Sequence, residues 1–123
     1  MHYICVHGVL HGGWCWDQTA QDFRSLGHTV VTPDVPLTSL EDAAQTVIDL
    51  LDETDGPKVL VGHSYGGLVI SKAADKRNDI NHLHFVAAIM IEPDEIFLET
   101  SAGYTTKFSA SLDIHDDGTF TVV

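Results

Sequence analysis

The chain has 123 residues, 44% of them hydrophobic and 20% charged, which is one domain with enough apolar material for a core. Eighteen acidic residues against six basic ones give a formal charge of −12. Nucleic acid and anionic membrane surfaces are therefore poor partners, and the acidity reads as solubility. Cys5 and Cys15 have neither C-x-x-C nor zinc spacing, and Cys5, inside an apolar run, reads as a buried thiol. No apolar run reaches transmembrane length. His2-Tyr3 lead straight into a strand with no basic segment ahead, so no secretory leader is expected and a reducing cytoplasm is the default compartment.

Taken in order, Tyr3–Val6 (YICV) is a short apolar run ended by His7-Gly8 and reads as a buried strand. The glycine-rich turn Gly8–Trp16 lacks both G-x-x-x-x-G-K-[ST] and G-x-G-x-x-G, which weakens a nucleotide reading. From Asp17 the pattern is helical, with Trp16, Ala20 and Phe23 on one stripe and Gly27 placed as the stop. Thr29–Thr32 is a β-branched strand closed by Pro33. Thr38 and Glu41 offer a capping box for a helix whose stripe is Leu40, Ala44, Val47, Ile48 and Leu51. After Ser64 a third helix is expected to run to about Arg77, and Leu83–Ile91 reads as a parallel strand covered on both faces. Leu112–His115 and Thr119–Val122 alternate around Asp116-Asp117-Gly118 as a small hairpin. Strand–helix alternation of this kind predicts an α/β fold, an open and mostly parallel sheet of about four strands with helices on both faces.

Between the second and third of these helices lies Lys58–Leu68, KVLVGHSYGGL, an apolar strand running through Gly62-His63-Ser64-Tyr65-Gly66 into the third. This is a G-x-S-x-G nucleophile elbow in its strand–turn–helix setting. The sharp turn strains its central residue and lifts the Ser64 side chain clear of the backbone. Flanking glycines allow close approach of helix and strand, and a helix N-terminus beside Ser64 favours negative charge. The eight histidines include no H-x-x-x-H pair on a helix. His82 and His84 are two apart and His7 and His11 flank a loop, so structural roles are expected ahead of a metal site. His7 reads as an organiser of its loop, His63 as a partly buried polar contact, and Trp14 and Trp16 as packing under the first helix. Cys15 has no elbow around it and is set aside as a nucleophile.

Together, VHGVLHGGWCW from Val6, PDVP at Pro33–Pro36 and VGHSYGG at Val61–Gly67 resemble the α/β-hydrolase superfamily. The likeness is to its small esterase and hydroxynitrile-lyase-like branch, where an H-G-x-x-H-G-x-W-x-W segment recurs. The resemblance covers about Tyr3 to Pro93 and implies Ser64 as nucleophile, with the backbone N–H groups of Val9 and Tyr65 as the oxyanion hole. It implies a small-molecule, ester-like substrate and no cofactor or metal. The superfamily takes its acid and histidine from later strand ends, beyond a helical cap, so residues 1–123 read as the N-terminal portion of one hydrolase domain. In that division residues 3–93 are core and 94–123 begin a cap-like or irregular segment, and activity is expected to need further C-terminal chain. A rival reading draws the triad from within, with Asp94 as acid and His115 as base, in the order Ser…Asp…His. A lyase acting on cyanohydrins and a non-catalytic binding or complementing fragment are the other functional readings. The last strand would be an apolar sheet edge, from which self-association or a complementing chain is expected.

Overall fold

The computed structural model describes residues 1–90, 111–117 and 120–122. The elements are β1 (His2–Val6), a single 3-10 turn (Gly13–Trp16), α1 (Asp17–Ser25), β2 (Thr29–Val31), α2 (Leu40–Asp52), β3 (Lys58–His63), α3 (Gly66–Ala74) and β4 (Ile80–Val86), then the hairpin strands β5 (Leu112–Ile114) and β6 (Phe120–Val122). The first four strands form one parallel sheet in the order β2-β1-β3-β4, while β5 and β6 pair antiparallel. No helix among the described residues is long and apolar enough to cross a membrane.

Strand alternation divides the core in two. Ile4, Val6 and Leu60 face α2 and α3, where they meet Val47, Leu51, Val69 and Ile70. Cys5, Val59 and Val61 face the other way, onto Trp16 and Ala20 at the start of α1. A sheet apolar on both faces is what parallel crossovers require. Burial holds the Cys5 thiol up at about 12, so it stays a neutral apolar filler.

Several element ends differ from the sequence expectation, each for a physical reason. Helix α1 does stop at Gly27, whose φ of 87° lets His28 N–H reach the Phe23 carbonyl and Gly27 N–H the Arg24 carbonyl. Trp16 packs beneath α1 as expected, whereas Trp14 is 64% exposed. The α2 cap falls one residue later than the Thr38–Glu41 box: Ser39 Oγ accepts the Asp42 N–H at 3.0 Å, and Thr38 is left to donate to the Asp42 carboxylate at 2.6 Å. Helix α3 ends at Ala74 rather than near Arg77, because Lys76 turns into the left-handed region at φ 61°. Arg77 then pairs with Asp79 and Asp52, each at 2.7 Å, instead of lying along the helix end. The last strand spans Ile80–Val86, and most of its residues are exposed rather than covered on both faces. It stands at the sheet edge among the described residues, as expected.

Two measurements follow. Ser39→Ala should cost about 1 kcal/mol of unfolding free energy by urea titration, more than Thr38→Ala, since only Ser39 satisfies a helix N–H. Arg77, and after it Lys58, hold the Asp79 carboxyl well below the usual carboxylate range. Its contribution is therefore complete above that range and is lost as pH falls through it. The urea midpoint of Asp79→Asn should drop less than that of the parent between pH 7 and pH 3.

Candidate active site

Ser64 sits between β3 and α3 with φ 53°, the left-handed conformation that a serine adopts only under constraint. The constraint is backbone crowding. A Cβ on Gly62 would lie 2.5 Å from the Gly66 carbonyl oxygen, and one on Gly66 would lie 2.5 Å from the Val6 carbonyl oxygen. A Cβ on Gly67 would run into the Ile89 carbonyl. Only glycine fits at all three positions, so helix, elbow strand and β1 close on one another directly. The Ser64 carbonyl accepts from Gly67 N–H at 3.0 Å and from Ile89 N–H at 3.1 Å, which pins the turn from two sides. Helix α3 begins with no side-chain cap and no acid in its first turn, leaving its positive end beside Ser64.

The loop after β1 is drawn against this turn. A Cβ on Gly8 would lie 3.0 Å from Ser64 Cβ and 3.4 Å from His63 Nδ1. His7 is 2% exposed; its Nε2 accepts the Val35 N–H at 3.1 Å and its Nδ1 lies 2.7 Å from the Gly8 carbonyl oxygen. An acceptor role for Nε2 puts the ring proton on Nδ1, where it bonds Gly8. One imidazole thus ties the β1 loop to the PDVP segment, the organising role its position suggested. Asp34, in the same segment, accepts the Gly13 N–H at 2.7 Å and secures the loop's far end. The Val9 and Tyr65 N–H groups take no part in the backbone bonds that close these turns. Burial, and then the Glu41 charge, push the Tyr65 phenol up, so that side chain is a neutral hydroxyl.

Beside the turn lies a cleft of about 260 Å³ lined by His11, Cys15, Trp16, Thr19, His63 and Val86. The His11 ring sits 5.5 Å from both Trp14 and His63, centroid to centroid. Sequence spacing does not predict this ring cluster, although His11, Trp14 and His63 all belong to the motifs quoted above. Their meeting depends on the β1–β3 register rather than on spacing. Burial and the neighbouring Asp17 raise the Cys15 thiol above its usual range, which agrees with setting it aside as a nucleophile. Of the internal triad, His115 is exposed and bonds Thr121 Oγ1 through Nε2 at 2.6 Å. It makes no hydrogen bond with Ser64, and Asp94 lies outside the described residues.

The sequence profile of the alpha/beta hydrolase family matches residues 3–120. The chain belongs to that family. Curated relatives include the carbendazim hydrolyzing esterase of Nocardioides sp. (strain SG-4G), 32% identical over 93% of this chain and 57% of its own length. Another is methylesterase 2 of Arabidopsis thaliana, 34% identical over 72% of this chain and 40% of its own. Among solved structures, an extracellular alpha/beta-hydrolase from a Paenibacillus species superposes with a TM-score of 0.68 at 29% identity, covering 75% of this chain and 42% of that one. The chain thus spans about half the length of the curated relatives it matches.

In a family member built this way, the glycine crowding has a direct test. Gly62→Ala should lower stability by about 1–3 kcal/mol, because the new methyl meets backbone that has no room to yield. Equilibrium unfolding in urea checks it, and an unchanged midpoint would contradict the close approach.

Proposed function

We propose that the protein carrying these residues is a serine hydrolase of small carboxylic esters or related acyl compounds, working through an acyl-enzyme on Ser64. The observation that carries this reading is Ser64 at φ 53° against the uncapped start of α3. Its hydroxyl oxygen would attack the substrate carbonyl, passing its proton to a base. The developing oxyanion would be met by the Val9 and Tyr65 N–H groups, each such donor worth roughly 3–4 kcal/mol in a dry, preorganised site. Departure of the alcohol leaves the ester on Ser64, and water attacking the same carbonyl releases the acid. The esterase and methylesterase relatives support the substrate class. No cofactor enters the scheme.

Among the described residues no side chain hydrogen-bonds the Ser64 hydroxyl. The reading therefore takes the base from chain beyond Val123, with the Asp94–His115 pair as the rival source. Fluorophosphonate labelling, read by intact mass, separates them. The 123-residue chain should take up no adduct, whereas a chain continued to the length of its relatives should take one, which Ser64→Ala abolishes. An adduct on the short chain that vanishes in both Ser64→Ala and His115→Ala would move the base to His115. No adduct on the continued, folded chain would sink the serine mechanism itself.

A further inference from the structure

The peptides that carry the Val9 and Tyr65 N–H groups share one feature: in each, the carbonyl oxygen accepts two hydrogen bonds. The Ser64 carbonyl, in the same peptide unit as the Tyr65 N–H, takes Gly67 N–H at 3.0 Å and Ile89 N–H at 3.1 Å. The Gly8 carbonyl, in the same unit as the Val9 N–H, takes His11 N–H at 3.2 Å and His7 Nδ1–H at 2.7 Å. Among the described residues no peptide bond is cis. In both units the N–H therefore lies in the plane of the carbonyl and points the opposite way. Two donors on the oxygen set the direction of the N–H at the other end. They also polarise the unit, since hydrogen bonds in a chain strengthen one another.

Three of these four donors are backbone N–H groups, and the fourth is the His7 side chain. Its bond is the shorter of the two on Gly8. The ring is held in place, being 2% exposed with its Nε2 accepting Val35 N–H at 3.1 Å. Gly8 in turn is closed against the nucleophile, since a Cβ there would lie 3.0 Å from Ser64 Cβ. We propose that His7 is a positioning residue of the hydrolytic site, aiming and polarising the Val9 N–H through the Gly8 carbonyl. It acts one peptide removed from the reacting atoms. The inference rests on the serine-hydrolase reading and deepens it: one donor to the oxyanion is set wholly by backbone, and the other by a buried imidazole.

Two near-isosteres separate this role from that of a bracket between the loop and the PDVP segment. Asn places an N–H where His has Nδ1 and has no atom to meet Val35. Gln places an oxygen where His has Nε2 and has no donor for Gly8. Each variant gives up one buried bond, so both should lower the urea midpoint. Only His7→Gln should slow catalysis. In the chain continued to the length of its relatives, with p-nitrophenyl acetate, it should lower kcat about tenfold to a hundredfold and move KM less than about threefold. His7→Asn should restore kcat to within about threefold of the parent, because the Gly8 bond is kept. A folded His7→Gln with unchanged kcat overturns the proposal, as does an equal loss in His7→Asn. The parent supplies a check that survives a variant's failure to fold: its imidazole 15N shifts should place the His7 proton on Nδ1. A ring protonated at Nε2 alone has no donor for Gly8 and overturns the proposal, while turnover by the parent leaves the serine reading standing. A continued chain that takes no fluorophosphonate adduct sinks the serine reading, and this inference with it.

Discussion

The structure depends on one crossing of backbones. At Gly62, Gly66 and Val6 the elbow strand, helix α3 and β1 approach to distances that leave no space for a single added methyl. Side chains do not mediate this contact, so it cannot be loosened by repacking. It sets the position of α3, and through α3 the core that Val69 and Ile70 form with Val47 and Leu51 of α2. It also forces Ser64 into its left-handed turn. The same short distances thus account for the layering of the fold and for the exposure of one hydroxyl.

A second fastening acts at longer range. His7 joins the Gly8 carbonyl to the Val35 N–H, linking residues 28 positions apart in the chain. Both its nitrogens are used and it is almost wholly buried, so it acts as a structural bracket. With Asp34 holding Gly13, the glycine-rich loop after β1 is anchored at both ends. This is how a flexible composition gives a defined edge to the cleft.

Much of this was legible in the sequence, and the reasons differ by element. The strand–helix alternation and the G-x-S-x-G turn rest on local patterns of apolar residues and glycines, and the parallel sheet with its elbow follows them closely. The ends of elements were less legible, because tertiary partners decide them. Arg77 leaves the helix for Asp52 and Asp79, which no helical periodicity encodes. The capping box at Thr38 and the true cap at Ser39 differ by one residue, and two adjacent hydroxyl side chains look alike to any pattern. Trp14 and Trp16 share a motif, but the 3-10 turn between Gly13 and Trp16 sends one outward and the other under α1. The cluster of His11, Trp14 and His63 is created by register alone.

The bond from Ile89 N–H to the Ser64 carbonyl carries a mechanical consequence. The segment leaving β4 is fastened to the carbonyl of the strained residue itself, and Gly67 is fitted against the same segment. The segment that leaves β4 and the elbow are therefore joined directly, backbone to backbone. A displacement of the outermost strand, by a neighbour docking or by slippage of its ladder, would be transmitted to the peptide plane of Ser64. Among the described residues, the least covered strand of the sheet is thus tied through backbone to the residue held at φ 53°.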